Sequence, residues 1–230
     1  MANTMEHNEL YISRFSAWAP GIENAKEWEE WAQGSREMSC ASEGPKIEFT
    51  DSMFRRRLSQ ISKMTIQVVH DLLPVKEETK MLFLSFRGEL SRQFNINKMQ
   101  IEDGSFSPAA FSFSVFNAPV ALASMALGLK GGYTALYPIN NSIKAGLIVA
   151  ASMLNTSSCG SPPDELVFVY ADEEVPEEYS CLVPEPLPPF AFSLLLSRKP
   201  CSGSVYSIDK KEICPKDFLR LLYLKNNTSL

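Results

Sequence analysis

The chain has 230 residues, 45% of them hydrophobic and 21% charged, with 22 basic against 27 acidic side chains. That apolar share is enough for a substantial core and excludes wholesale disorder, and the length fits a single domain over residues 1–230. A net charge of −5 excludes a general nucleic-acid binder, which would carry a basic patch or stripe.

The predicted elements follow in chain order. Residues 10–18 (LYISRFSAW) read as a strand. Residues 23–33 read as a helix with Ala25, Trp28, Trp31 and Ala32 on one face and Gly34 as its stop. The longest amphipathic segment is 52–73, where Phe54, Leu58, Ile61, Met64, Val68, Val69 and Leu72 make one stripe. Asp51 or Ser52 is its N-cap, and Pro74 lies just beyond its end. A strand at 81–88 comes next. Residues 108–127 then read as a short helix, a kink at Pro119 and a second short helix. A strand at 133–138 precedes a helix at 141–154 that is apolar almost all round and so needs cover on every side. Strands at 166–172 and 190–198 flank the proline-rich link 184–189. An amphipathic helix at 214–224 and a polar tail close the chain.

Most of the five strands are continuous apolar runs, as expected for strands buried on both faces. The expectation is an α/β fold with a five-stranded, mainly parallel sheet flanked by helices.

No run of about 18 apolar residues occurs, so no membrane span is predicted. The opening MANTMEHNELYIS lacks a basic flank before an apolar stretch, and the expectation is a cytoplasmic protein without a secretory signal. Cys40, Cys159, Cys181, Cys201 and Cys214 are odd in number and form no CxxC pair, which fits reduced structural thiols. The sequons at Asn155 and Asn227 carry no weight without a signal peptide. His7 and His70 are far apart and sit in no cluster with metal-site spacing, so neither a metal nor a cofactor is predicted.

Residue types alone point to no enzyme site. Ser142 stands at a helix start and reads as a cap, with no GxSxG setting. Ser207 and Lys210 match a bare SxxK spacing in a predicted turn. The acidic run Asp172, Glu173, Glu174, Glu177 and Glu178 reads as a solvated loop at a strand end.

Four stretches carry a family resemblance. LYISRFSAWAPGIENAKEWEEWAQG (10–34) is similar to the opening of a β-ketoacyl synthase: an apolar strand, a small-residue turn, Pro-Gly, then a helix bearing aromatic residues. FSVFNAP (113–119) and GLKGGYTAL (128–136) resemble that family's Asn-centred helix and the Gly-Leu-Lys-Gly turn leading to the nucleophile strand. DSMFRRRLSQISKM (51–64) resembles a branch of short, N-terminal-domain-like ketoacyl synthases that accompany a full ketosynthase in clusters making aryl polyenes. The resemblance covers about residues 9–200.

It implies a single thiolase-like half where a complete ketosynthase has two. In the family the nucleophilic cysteine falls at about Asn140, yet no cysteine lies between Cys40 and Cys159. Neither histidine maps to a catalytic one. The resemblance therefore implies a chain that is no enzyme on its own: a silent, chain-length-factor-like partner of a full-length ketosynthase, with the acyl carrier protein engaged indirectly. It implies a partner interface along Tyr133, Thr134, Ala135, Leu136, Tyr137 and Pro138, where a strand pairs antiparallel across the dimer. It also implies that the helix carrying SVFNA borders an acyl tunnel, with Phe111, Phe113 and Phe116 as gating residues; Phe116 stands where the short branch often has His. The alternatives are a stand-alone thioester hydrolase or decarboxylase with an unusual elbow residue, and a homo-oligomeric binding module. A lone half leaves the 141–154 helix uncovered on its outer side, which calls for a partner, a second copy or the 214–224 helix folding back.

Overall fold

A computed structural model describes residues 9–138, 142–156, 163–182, 188–197, 204–208 and 211–226. Its centre is one sheet of six strands: β1 (Glu9–Trp18), β2 (Lys80–Leu84), β3 (Tyr133–Leu136), β4 (Glu165–Asp172), β5 (Phe190–Ser197) and β6 (Ser204–Ser207). Their order is β3-β2-β4-β5-β1-β6. The β2–β3 and β2–β4 ladders are parallel; the β4–β5, β1–β5 and β1–β6 ladders are antiparallel.

This corrects the five-stranded, mainly parallel expectation. β1 to β4 point the same way, but β5 runs against them between β4 and β1, and β6 adds a strand beyond β1. The apolar runs are real: every residue from Leu166 to Ala171 is buried. They reflect helices on both faces, and a strand covered on both faces reads the same whichever way its neighbour runs.

Alternation within each strand is visible only in the packing. Leu166, Phe168 and Tyr170, with Phe190, Phe192, Leu194 and Leu196, face one layer; Val167, Val169, Ala171, Ala191 and Leu195 face the other. The first layer contains α1 (Ala25–Ala32), α7 (Lys144–Asn155) and α8 (Pro215–Asn226). Trp28 and Trp31 of α1, Leu147, Ala150 and Leu154 of α7, and Phe218, Leu219 and Leu222 of α8 share one core. Tyr223 of α8 stacks on Trp28 at 5.2 Å. The C-terminal helix thus folds back onto the face that α7 occupies, while Ile148 of α7 stays half exposed.

The second layer contains α3 (Gln60–His70) and α6 (Ala118–Leu127). The expected single helix over 52–73 is two: α2 (Ser52–Arg55), capped by Asp51, and α3, capped by Ser59, whose Oγ accepts the Ser62 N–H at 3.2 Å. Two N-caps in one apolar stripe start two helices. α3 is tied to the sheet by Ser193, whose hydroxyl donates to Val68 O at 2.5 Å. The break expected at Pro119 falls earlier. α5 (Pro108–Ser112) ends, residues 113–117 turn, and Pro119 sits in the first turn of α6, where its missing N–H costs nothing. SVFNA is therefore mainly turn rather than helix. A helix without a sequence-level expectation, α4 (Leu90–Asp103), follows β2; of its apolar residues only Ile96 is buried.

The sheet is closed from distant parts of the chain. Ser13 of β1 donates its hydroxyl to Leu195 O of β5 at 3.1 Å, across 182 residues.

Candidate partner interface

Among the described residues β3 is the outermost strand on one side of the sheet, bonded to β2 alone. Its position follows from the GLKGG turn. Gly128 (φ 68°) is the left-handed cap that ends α6, and a side chain on Gly131 would stand 2.2 Å from Glu78 O. Lys130 N–H donates to Glu77 O, and its Nζ reaches the Glu77 carboxylate at 2.6 Å, which holds that carboxyl below its usual range. The turn thus lays β3 beside β2 in register.

Two bonds fix which backbone groups face outward. Met81 N–H donates to Gly132 O and Ser85 N–H to Leu136 O. With a two-residue period, Thr134 and Leu136 address β2, while Tyr133 and Ala135 direct their N–H and C=O groups away from the sheet. Tyr133 and Tyr137 are exposed beside that edge, Leu136 is half-buried and Pro138 is buried.

The three phenylalanines occupy different places. Phe111 is exposed and touches Phe106 at 5.6 Å between centroids. Phe113 packs against Ile47, Leu58, Ile66 and Leu122, with the Arg92 guanidinium 5.8 Å from its ring centre. Phe116 is half-buried between Phe83, at 6.2 Å, and Tyr137, at 6.4 Å. Asn117 next to it donates to the Tyr133 hydroxyl at 3.3 Å. The 113–117 turn is thereby bound to the β3 edge; Phe111 is exposed, and Phe113 and Phe116 are each half-buried.

Asn140 lies outside the described residues, as do His7 and Lys210. Ser142, just after it, is buried; its Oγ accepts the N–H groups of Lys144, at 3.2 Å, and Ile213, at 3.4 Å, joining the start of α7 to the approach to α8. His70 stacks on Phe49 at 3.7 Å and meets Asp71 at 3.3 Å. Cys40, Cys181 and Cys214 are free thiols, and burial pushes the Cys214 thiol up. Among the described residues no three metal-ligating side chains converge, and no helix is long and apolar enough to cross a membrane.

The acidic run departs from its expected solvated loop. Asp172 and Glu173 are only 4% and 3% exposed. Asp172 accepts from Ser85 Oγ at 2.6 Å, Tyr170 OH at 2.8 Å, Arg87 N at 3.0 Å and Phe86 N at 3.1 Å. Burial pushes its carboxyl up, against hydrogen bonds that favour the charge. It anchors the loop after β2, in which Gly88 lies under Phe116. Sequence reasoning passed over Ser85, Gly88 and Glu89. Their signal is the SFRGEL string, which places small and acidic residues between a buried strand and a helix.

Residues 28–217 match the family described as β-ketoacyl synthase, N-terminal domain. The chain belongs to that family. Among solved structures it is similar to a chain of the ketosynthase ApeO in complex with its chain length factor ApeC from Xenorhabdus doucetiae. The TM-score is 0.68 at 25% identity, covering 83% of this chain and 79% of that one, so the two are of similar length. The ishigamide ketosynthase/chain length factor gives a TM-score of 0.58 at 11% identity over 83% of this chain; the match spans 58% of that chain and speaks for the fold. No curated protein matches the sequence. The sheet and its helices are thus a ketosynthase-type α/β unit.

Proposed function

We propose that this chain is a catalytically silent, chain-length-factor-like subunit that pairs with a full-length β-ketoacyl-ACP synthase. The partner carries the condensing chemistry in polyene-type or fatty-acid-like chain elongation. The observation that carries this reading is the open edge of β3, with outward backbone groups at Tyr133 and Ala135 and exposed aromatic rings beside it. An edge flanked by the exposed rings of Tyr133 and Tyr137 is suited to strand addition across an interface. The likeness to a ketosynthase/chain-length-factor complex supports the choice of partner. The want of a cysteine between Cys40 and Cys159 supports silence, because the family's condensing step needs a thiolate. In this arrangement Phe116 and Phe111 border the partner's acyl tunnel, and the acyl carrier protein docks on the partner.

Co-expression with a full-length ketosynthase from the same genome, followed by size-exclusion chromatography, tests the pairing. One co-eluting complex is expected, and Ala135→Pro, which removes an outward N–H while sparing the β2 ladder, splits it. Persistent separate elution of the two wild-type chains sinks the proposal.

A further inference from the structure

Two buried carboxylates meet where α3 and α4 begin. Glu89, the residue before α4, is fully buried; it accepts the hydroxyls of Ser59 and Ser62, both at 2.7 Å, and Arg92 Nε at 3.0 Å. Glu173, the residue after β4, accepts the N–H groups of Ser91 at 3.1 Å and Ile61 at 3.4 Å. Each acid therefore bridges the same two helical first turns, where backbone N–H groups and the helix dipoles favour negative charge. Two acids at one junction also repel each other, and only one has a cation of its own.

Of the other charged groups around the junction, Lys98 pairs with Glu178 at 3.8 Å and Glu177 is exposed, all three lining the cleft named below. Arg92 is bonded to Glu89, and Arg87 spends a guanidinium N–H on the backbone oxygen of Glu173 at 2.8 Å, not on its carboxyl. Asp172 is enclosed by its own donors, and Ser91 Oγ donates to Glu174 O at 3.3 Å. Glu173 also lines an open cleft of about 1040 Å³, together with Ser59, Ser91, Arg92 and Glu174.

We propose that Glu89 and Glu173 form a proton-linked clasp. With a proton on Glu173, the first turns of α3 and α4 are pinned to the end of β4. Loss of that proton sends the carboxylate into the cleft and unpins both turns.

The proton's place follows from the partners. Glu89 accepts a guanidinium and two hydroxyl donors, whereas Glu173 accepts two backbone N–H groups. Burial and the charge of Glu89 push the Glu173 carboxyl up from 4.5 to about 7. In the cleft, in water, that carboxyl returns to its ordinary range. The closed form thus binds the proton more tightly, and the open form gains population as pH rises from 4.5 to about 7, levelling off above. The full gain is roughly 300-fold, of which roughly 40-fold falls between pH 5 and 7.

Amide hydrogen exchange on the full chain, corrected for intrinsic pH dependence, reads this at Ile61 and Ser91, the two donors to Glu173. The expected result is a roughly 40-fold rise in opening between pH 5 and 7 in the wild type. A flat profile is expected in Glu173→Gln and a smaller rise in Glu89→Gln. Equal slopes in wild type and Glu173→Gln overturn the proposal. If Glu173→Gln does not fold, the wild-type carboxyl carbon titration decides: a midpoint near neutrality supports the clasp, and one in the ordinary carboxylate range refutes it.

Discussion

The ring of Phe116 rests on the backbone of Gly88: a Cβ at residue 88 would stand 2.7 Å from the ring's Cδ2. Gly88 also holds φ 56°, a conformation that side chains disfavour. Its N–H donates to Ser85 Oγ at 2.7 Å, and Ser85 is in turn bonded to Asp172. The floor under Phe116 is thus set by the buried end of β4, and the ring has no room to retreat toward the sheet.

Gly88→Ala tests that relationship directly. The left-handed conformation costs about 1–2 kcal/mol for a residue with a Cβ, and displacing the ring adds a further 1 kcal/mol or so. Truncating the ring relieves the second part alone. Urea unfolding of Gly88→Ala, Phe116→Leu and the double variant should give a coupling of about 1 kcal/mol. Strict additivity would show that the two positions act independently.

Phe116→Ala, in the intact complex with the ketosynthase, should lengthen the acyl products, because it removes a ring held between Gly88 and Tyr137. The measurement is product mass distribution alongside co-elution of the two chains. An unchanged distribution in an intact complex removes Phe116 as a gate while leaving the pairing standing.

Phe218→Ala should destabilise the fold by about 3–5 kcal/mol. Phe218 is fully buried, 4.9 Å from Tyr206 and 5.9 Å from Phe192 between ring centres, so α8 closes the core rather than decorating it. Leu221→Ala, on the exposed side of the same helix, should stay within about 0.5 kcal/mol. Chemical denaturation of both variants checks the contrast; equal losses would mean that α8 does not pack as described.

What was legible in the residues divides along physical lines. β1 to β5 and the helices at 25–32, 144–155 and 215–226 announce themselves, because each carries an apolar run or stripe. Strand direction does not. Leu166–Ala171 would read identically beside a parallel or an antiparallel neighbour, since both faces are covered. α4 escaped because Leu90, Phe94, Ile96, Met99 and Ile101 form no single buried stripe; Phe94 meets Tyr179 at 5.2 Å, and Ile101 is 84% exposed. The start of α3 depended on which serine caps it, and only packing singles out Ser59 from Ser52.

The β3 edge followed from the GLKGG turn, whose glycines have local steric reasons. The buried acids did not. Whether Asp172 and Glu173 face water depends on Ser85, Arg87, Ser91 and Ile61, more than 80 residues away in sequence. A carboxylate is buried where donors converge on it, and that convergence has no local pattern.

The 182-residue reach from Ser13 to Leu195 has a consequence for how the protein is made. At about 5–20 residues per second, the ribosome takes roughly 10–40 s to deliver β5 after β1 has emerged. Until then the apolar side of β1 has no strand to pair with, and Trp28 and Trp31 wait longer still for Tyr223 and Phe218. Folding of this sheet therefore completes only after most of the chain has been synthesised. The nascent chain spends that interval with its first aromatic helix uncovered, open to holding chaperones.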